Sequence, residues 1–571
     1  MYFMALAVDY DGTLAIEGKI SATTIEKLIA IKASGRKLIM VTGRTLDELK
    51  QIFDRLDLFE RIVAENGALL YRPQTETQSL LAEPLPDQFI TQLKTRGITP
   101  LNIGKVIAAT LEPQETFVLE IIRDLGLELE IIFNKGAVMV LPSGVNKGSG
   151  LAAAVKELGL SLHNLIGIGD AQNDHIFLNT VGLGVAVANA SESLKQNASL
   201  VTNGAAGQGV EELIDQLLED EYSLVTKVRQ INFIGLDSEQ SPLWLSPVDR
   251  VLIAGNSGIG KSTLATALTE KMVANGFQFC IFDPEGDYES LEHAIGVGDV
   301  KLPPSQDQVI ELLQEPARNV VVNTLGVELK DRPSYFVQLA PKLVSLKAST
   351  GRPHWLIIDE AHHLMPAAQN NTSVALPKEG TILITVHPDE IAVDALKTLT
   401  IMIILGPQAP AILEKMSKII GEPLPDLPDR PPSDNELLVW QRTPTSIIKT
   451  IRADKPRQHH KRHTRKYAIG DLSEEFCFYF RGPNNALNLK AQNLAIFLQL
   501  AEGIDDATWM HHLQKKDYSD WFRVHIKDNT LADAADQIES DRSLSAAQSR
   551  QAIANLVKTR YTAPASANEW G

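Results

Sequence analysis

Two short stretches of the chain carry the residue types that phosphate chemistry requires. Asp9-Tyr10-Asp11-Gly12-Thr13-Leu14 closes an apolar run and sets two carboxylates two positions apart. In that spacing one carboxylate can attack phosphorus while the other protonates the leaving oxygen and later deprotonates water. Two acids so close repel each other, so a cation is needed with them, and hard Mg2+ suits both carboxylate oxygens and phosphate. The second stretch is Gly255-Asn256-Ser257-Gly258-Ile259-Gly260-Lys261-Ser262, with Thr263 behind it. Its backbone amides can wrap a nucleotide's phosphates, Lys261 can reach the β and γ phosphates of ATP, and Ser262 can ligate the accompanying Mg2+.

Each stretch finds partners further along the chain. Thr42-Gly43-Arg44 supplies a hydroxyl and a backbone amide for phosphate, and Lys147, just ahead of Gly148, supplies a charge to neutralise phosphoryl oxygens. Gly169-Asp170-Ala171-Gln172-Asn173-Asp174 supplies the remaining acid for a metal. For the nucleotide, Trp355-Leu356-Ile357-Ile358 delivers Asp359 and Glu360. Asp359 is suited to hold Mg2+ through water and Glu360 to polarise the attacking water, a pair that signals hydrolysis more than transfer to a small acceptor. Thr385 and His387 close a later apolar run, either as a sensor of the γ phosphate or as a plain strand end.

The elements that must position these groups are parallel strands. Met4–Val8, Lys37–Val41, Leu165–Ile168 and Leu183–Val187 are nearly continuous in Val, Ile, Leu, Met, Ala and Gly, as strands covered on both faces are. Three of them run into Asp9, Thr42 and Asp170, and ligands of open parallel sheets bind at the carboxyl ends of strands. The reading is α/β throughout: a Rossmannoid domain over 1–222 with an inserted α+β cap at about 71–143, and a connection over 223–245. A second parallel-sheet domain over 246–453 has strands Val251–Ala254, Phe279–Phe282, Val320–Val322, Trp355–Ile358, Ile382–Val386 and Ile401–Leu405. A basic linker over 454–467 and a small, mainly helical domain of unknown role over 468–571 complete the expectation. In the last domain Phe476, Phe478 and Phe480 alternate as strand residues do, and Trp509, His511, His512, Tyr518, Trp521 and Phe522 are expected to knit a helical core.

Residues 1 to about 220, with their motifs in order, resemble the haloacid dehalogenase superfamily, in the Cof-like branch that includes sugar-phosphate and phosphoglycolate phosphatases. The resemblance implies Asp9 as nucleophile and Asp11 as general acid and base, with Thr42 and Lys147 on the phosphate. It implies Mg2+ held by Asp9, the Asp11 carbonyl oxygen and Asp170, with Asn173 and Asp174 supporting metal or substrate. Glu65-Asn66-Gly67-Ala68 is similar to a segment of that branch near the cap hinge. Residues 245 to 410, with Asp283-Pro284-Glu285-Gly286-Asp287-Tyr288, look like the HerA/FtsK type of P-loop ATPase, often hexameric DNA pumps. Asp287 stands where those relatives usually carry Glu, and no arginine finger is assignable. Asp359-Glu360-Ala361-His362 also reads as a helicase-style string.

Composition narrows the function classes. The hydrophobic fraction of 44% and charged fraction of 22% are those of an ordinary globular protein, and no apolar run is long enough to cross a bilayer. The two cysteines, Cys280 and Cys477, exclude a disulfide framework and point to a reducing cytoplasm. A net charge of -17 argues against nucleic acid as the general partner, although the basic run from Arg457 to Lys466 leaves room for a local contact. His459, His460 and His463 in that run lack the acid or thiol that would complete a metal site, and His163 and His175 read as surface or supporting residues. The expected function is Mg2+-dependent hydrolysis of a small phosphorylated metabolite, joined to ATP binding and hydrolysis, with oligomers formed through the ATPase domain. The competing readings are a nucleic-acid-end phosphatase and kinase or ATP-driven DNA motor, and an ATP-gated assembly module with a vestigial phosphatase site.

Overall fold

A computed structural model describes residues 1–225, 232–289, 291–366, 376, 377, 379–428, 430–433, 436–443, 445–454, 477–526 and 528–560. The basic run and its histidines, together with Phe476, lie outside the described residues. Among the described residues no helix is long and apolar enough to cross a membrane.

The amino-terminal apolar runs form the centre of an eight-stranded sheet. In spatial order its strands are Leu200–Val201, Leu183–Ala186, Leu165–Gly169, Ala5–Asp9, Lys37–Val41, Arg61–Ala64, Leu69–Arg72 and Thr77–Leu80. The first six are parallel, and the last two turn back antiparallel. Every residue of Ala5–Asp9 and Leu165–Gly169 is buried, because helices cover both faces of the sheet. Ala5–Asp9 lies between Leu165–Gly169 and Lys37–Val41, so Asp9, Thr42 and Asp170 emerge side by side. At the other end of Ala5–Asp9, the Glu221 carboxylate accepts the amides of Tyr2 and Phe3 at 2.9 and 2.8 Å, which fixes where the strand starts.

The cap is a four-stranded antiparallel sheet ordered Asn102–Ile103, Ala108–Leu111, Ala137–Pro142, Leu129–Asn134. Helices Asp87–Thr95 and Glu115–Asp124 pack on one face of it through Phe89, Leu93, Val118 and Ile121. Thr77–Leu80, expected within the cap, instead pairs with Leu69–Arg72 as the edge of the main sheet.

The second sheet has eleven strands: Pro242–Leu245, Asn232–Asp237, Ile447–Ala453, Glu436–Gln441, Ile401–Leu405, Arg250–Ala254, Thr381–Thr385, Trp355–Ile358, Phe279–Asp283, Val320–Asn323 and Ile295–Val297. The six strands read from the sequence form its parallel middle, with Ala254 beside Thr385 and Phe282 beside Ile358. Residues 232–245, read as part of a connection, form a hairpin that joins this sheet against Ile447–Ala453. The carboxyl-terminal part pairs Phe478–Phe480 with Leu489–Ala491 and surrounds Phe478, Phe497, Trp509, Tyr518 and Trp521 with helices.

The two large sheets meet at the amino ends of their strands. The ring of His163 stacks on Phe277 at 3.8 Å between centroids and donates to the Asn275 carbonyl at 2.7 Å. The buried Arg352 guanidinium donates to the Gly159 carbonyl at 2.7 Å. His354 Nδ1 accepts the Gln278 amide at 2.9 Å, so Nε2 carries the ring proton toward Ser161 Oγ and Asn164 Oδ1, 3.1 and 3.2 Å away. His163 is thus a contact between domains.

Burial first, and then the nearby His163, Lys347 and Arg352, hold His354 well below the usual histidine range. Its neutral form stabilises the join above the ordinary histidine value, and that contribution is lost as pH falls, because the unfolded imidazole takes up a proton that the folded one refuses. The difference grows by up to about 1.4 kcal/mol per pH unit below about 6.5. Lowering pH from 7.5 to 5.5 is expected to depress the melting temperature less in His354→Gln than in wild type; equal depression would show that His354 is not the group responsible.

Candidate functional site

The first constellation is built around an ammonium ion. Lys147 is the first residue of the helix Lys147–Glu157, which Asn146 caps: its Oδ1 accepts the Ser149 amide at 3.0 Å while Ser149 Oγ accepts the Asn146 amide at 3.0 Å. A cation at a helix amino terminus opposes the helix dipole, so it needs anions in front of it. Lys147 Nζ donates to Asp9 Oδ1 and to Asp174 Oδ1, both at 2.6 Å, and all three side chains are almost wholly buried. Burial alone would discharge Lys147, but Asp174 and Asp9 outweigh it and hold its pKa above the ordinary lysine value. Burial and the crowding of Asp174 push Asp9 up to about 8 against the pull of Lys147.

Ligand oxygens of Asp9, Asp170 and Asp174 all lie within 4.8 Å of one another. Asp174 Oδ2 also accepts the amides of Asp170 and Ala171 at 2.9 Å, which locks the turn after Leu165–Gly169. Three buried carboxylates facing one buried lysine fit a hard divalent cation. Gly12 makes the space beside them: it has φ +84°, and a Cβ there would lie 2.3 Å from Asp170 Oδ2.

Around this centre the other expected residues take up places of different kinds. Thr42 is buried, and its hydroxyl accepts the Arg44 amide at 3.2 Å. Arg44, read as a phosphate contact, holds Asp11 with two bonds of 2.6 and 2.7 Å. Asn173 Nδ2 donates to Asn66 Oδ1 at 3.0 Å, which leaves Asn66 Nδ2 and Asn173 Oδ1 buried without partners among the described residues. A buried orphan donor beside a buried orphan acceptor marks a place prepared for another polar group. Asn173 Nδ2 lies 3.9 Å from the point where a Cβ on Gly43 would stand, and Met139 Sδ of the cap lies 3.6 Å from it.

Glu65 and Gly67 tie cap and core together at this point. The buried Glu65 carboxylate accepts the amides of Lys105, Val106 and Ile107 in the cap at 3.0, 2.8 and 3.2 Å. Gly67 has φ +109°, and a Cβ on it would fall 1.9 Å from the Asn146 carbonyl oxygen, so the chain ahead of Lys147 can pass only over a glycine.

The second constellation lies at the carboxyl ends of the other sheet's strands. Gly255 to Gly260 loops from Arg250–Ala254 into the helix Lys261–Ala274, with Gly260 left-handed at φ 111°. Lys261 Nζ donates to the carbonyls of Gly255 and Asn256 at 3.0 and 3.2 Å, and Ser262 Oγ donates to Asp287 Oδ2 at 3.3 Å. Thr263 is the third residue of the same helix. The buried Asp283 carboxylate gathers the amides of Glu285, Gly286, Asp287 and Tyr288, which folds Asp287 back toward Ser262. Burial, followed by Glu360, Asp287 and Asp283, raises Asp359 well above the usual carboxylate range. Glu360 takes a left-handed backbone at φ 42°, with one carboxylate oxygen 3.4 Å from His362 Nδ1. His362 Nδ1 is 3.0 Å from Thr385 Oγ1, which also accepts the His387 amide at 3.0 Å. Burial, then His363, His387 and Lys261, push His362 down to about 4.

Residues 6–99 and 98–214 match the family model of the haloacid dehalogenase-like hydrolases. The phosphoglycolate phosphatase of Methanothermobacter thermautotrophicus is 30% identical over 224 residues, 38% of this chain and 98% of its own length. Phosphoglycolate phosphatase 1 of Saccharolobus solfataricus is 29% identical over 231 residues, 38% of this chain and 96% of its own. The chain belongs to the haloacid dehalogenase-like hydrolases. A solved haloacid dehalogenase-like hydrolase from Bacteroides thetaiotaomicron is 19% identical, with 38% of this chain and 99% of that one covered and a TM-score of 0.34. Residues 211–418 match the central domain of the helicase HerA, so a haloacid dehalogenase-like phosphatase is fused to a HerA-type P-loop ATPase domain.

One residue of the hydrolase site was invisible in the sequence. Lys135, in the cap turn between Leu129–Asn134 and Ala137–Pro142, places its Nζ 2.6 Å from Asp170 Oδ2. No motif surrounds it, and only the hairpin brings it there.

Lys147 is central enough to test directly. Lys147→Met keeps the chain length but leaves buried carboxylates unneutralised, and about 3–5 kcal/mol of stability should be lost from the metal-free hydrolase domain. Urea denaturation with EDTA present measures it, and a loss under about 1 kcal/mol would mean that the carboxylates accommodate themselves without the ammonium.

Proposed function

We propose that the chain is a Mg2+-dependent phosphomonoester hydrolase that works through an aspartyl-phosphate on Asp9, fused to a domain that binds and hydrolyses ATP. The domains that carry this division run over 1–222, with the cap inserted, and over about 223–453, with 468–571 appended in a role not tied to either chemistry. The observation that carries the reading is the buried cluster of Asp9, Asp170, Asp174 and Lys147 at the carboxyl ends of parallel strands. Asp9, Asp170 and the Asp11 carbonyl oxygen, with Asp174 behind them, would hold Mg2+, which supplies charge to a phosphoryl group and lets Asp9 ionise beside it.

In this reading an Asp9 oxygen forms a bond to phosphorus as the ester oxygen leaves with its electron pair. Asp11 gives that oxygen a proton and then takes one from the water that cleaves the phosphoenzyme. The paired contacts from Arg44 hold Asp11 in orientation for both steps. Thr42, the Gly43 amide, Lys147 and the unpaired amide groups of Asn66 and Asn173 serve the phosphate and its leaving group. The substrate is a small phosphorylated metabolite of the sugar-phosphate or phosphoglycolate type, in keeping with the relatives' own names.

The nucleotide site rests on Gly255 to Thr263, with Lys261 on the phosphates and Ser262 and Asp359 on Mg2+. Glu360 is the base for water. ATP is the second small-molecule partner, and the ATPase domain is the surface through which copies of the chain would assemble. The net charge of -17 favours a metabolite over nucleic acid as the phosphatase substrate.

The test is phosphate release from a panel of phosphoesters, with 2-phosphoglycolate and hexose phosphates included, with Mg2+ or EDTA and with or without ATP. Asp9→Asn should lower release by about 1,000-fold or more. Lys261→Ala should abolish ATP turnover but not ester hydrolysis. Full ester hydrolysis by Asp9→Asn would discard the nucleophile assignment, and unchanged rates in EDTA would discard the metal.

A further inference from the structure

The hydrolase site holds a cation that the chemistry above does not use. Lys135 and Gly136 form the two-residue turn of a cap hairpin, both with positive φ, 48° and 82°, the geometry of the tight turns that match strand twist. That turn aims the lysine stem out of the cap sheet and onto the core. Its Nζ reaches Asp170 Oδ2 at 2.6 Å, and the same glycine that clears Asp170 clears Lys135: a Cβ on Gly12 would stand 2.7 Å from Nζ. Around it the cap meets the core through apolar side chains, Val106, Ile107, Met139 and Leu141.

The three cations of the site differ in how they are held. Lys147 is buried between two carboxylates, and Arg44 is gripped twice by Asp11. Lys135 makes one bond from a side chain that remains 56% exposed, to an aspartate that is 1% exposed. Its partner is an acid of the cluster that fits a divalent cation. A divalent ion seated on Asp170 and an ammonium 2.6 Å from the same carboxylate would repel each other, the more so because that carboxylate is buried although the lysine is half exposed. With a divalent ion in place and Asp9 ionised beside it, Asp9, Asp11, Asp170 and Asp174 against Lys135, Lys147, Arg44 and the ion leave one positive charge. The displaced ammonium then needs a new anion.

We propose that Lys135 reads a second anionic group on the substrate, a carboxylate on the same short carbon fragment as the phosphate ester, and that it exchanges between Asp170 and that carboxylate as the metal enters. The assignment rests on the phosphatase reading above. The geometry limits the size of the substrate: Lys135 is rooted in a turn that reaches Asp170, whose ligand oxygen is within 4.8 Å of that of Asp9, so a carboxylate within reach of the lysine belongs to a short fragment. A carboxylate-bearing ester therefore draws the cap hairpin down onto itself, while an uncharged leaving group leaves Lys135 unpaired.

The experiment compares 2-phosphoglycolate with 2-hydroxyethyl phosphate, which has a leaving group of similar size without the carboxylate, on wild type, Lys135→Gln and Lys135→Arg. Lys135→Gln should lower kcat/KM on 2-phosphoglycolate at least about tenfold more than on 2-hydroxyethyl phosphate, mainly through KM, and Lys135→Arg should recover most of it. A second arm needs no substrate: the Mg2+ concentration giving half of the thermal stabilisation should fall about tenfold in Lys135→Gln, because no ammonium has to be displaced. Equal losses on the two esters in an active enzyme overturn the carboxylate assignment and leave the phosphatase reading standing. Wild type inactive on both esters but active on hexose phosphates overturns the carboxylate assignment alone, wild type inactive on the whole phosphoester panel sinks the phosphatase reading with it, and an unchanged Mg2+ midpoint overturns the exchange whatever the esters show.

Discussion

The hydrolase half is organised around one buried ammonium. Lys147 is placed where a helix begins and where a cation is least welcome, and it is kept charged only because Asp9 and Asp174 face it at 2.6 Å. Those two acids arrive from different strands, so the ion triad is also what fixes the sheet's carboxyl edge against the helix behind it. Asp174 in turn collects the amides of Asp170 and Ala171 and so aims Asp170 at the same point. Removing the charge would leave Asp9 and Asp174 buried with no cation between them. The same helix start must pass the Glu65–Gly67 turn, and Gly67 has no room for a side chain there. The Glu65–Gly67 turn that holds the cap and the start of the Lys147 helix are therefore positioned by a single close approach of backbone.

That coupling explains why the cap is not a loose lid in this arrangement. Glu65 sits in the core turn yet spends its carboxylate on three cap amides, Lys105 to Ile107. Met139 lies over Gly43, and Lys135 crosses to Asp170. The cap is thus fastened at its root by hydrogen bonds and at its tip by one ion pair. The root contacts are buried and uncharged on the cap side, whereas the tip contact is half exposed and sensitive to what occupies the acid cluster.

How much of this was legible in the sequence depends on where the information sits. Continuous apolar runs such as Ala5–Asp9 and Thr381–Thr385 announce buried parallel strands, and the polar residue that ends each run announces the catalytic edge. Asp9, Asp170 and Asp359 were readable as strand-end acids on that ground, and Lys261 through the glycine-rich loop ahead of it. Thr77–Leu80 and the hairpin over 232–245 were not, because the first is a mostly exposed edge strand and the second takes its pairing from Ile447–Ala453, two hundred residues away. Lys135 is the sharpest case. A lysine before a glycine in a hairpin turn is ordinary sequence, and its importance exists only once the cap is folded over the core. Arg44 was read as a phosphate ligand because it follows Thr42, yet its guanidinium fork matches the Asp11 carboxylate that the sheet brings beside it.

The join between the two sheets constrains what one half can do for the other. His163, Arg352, His354 and Phe277 all lie at the amino ends of strands, and both chemical sites lie at carboxyl ends. Each strand between join and site is about five residues long, roughly 17 Å, so the sites look outward from opposite edges of the stack. Neither a phosphoryl group nor a released product can pass between them through that packed interior. What can pass is position: Asn164 bonds His354 on one side and the Tyr2 carbonyl on the other, while its own carbonyl accepts the Met4 amide, at the root of the strand that ends in Asp9. His354 opens the strand that ends in Asp359. Asp9 and Asp359 are therefore connected by two buried strands laid end to end through a histidine and an asparagine, and within one chain an influence of nucleotide on ester hydrolysis has this line, with the His163–Phe277 and Arg352–Gly159 contacts beside it, to act through.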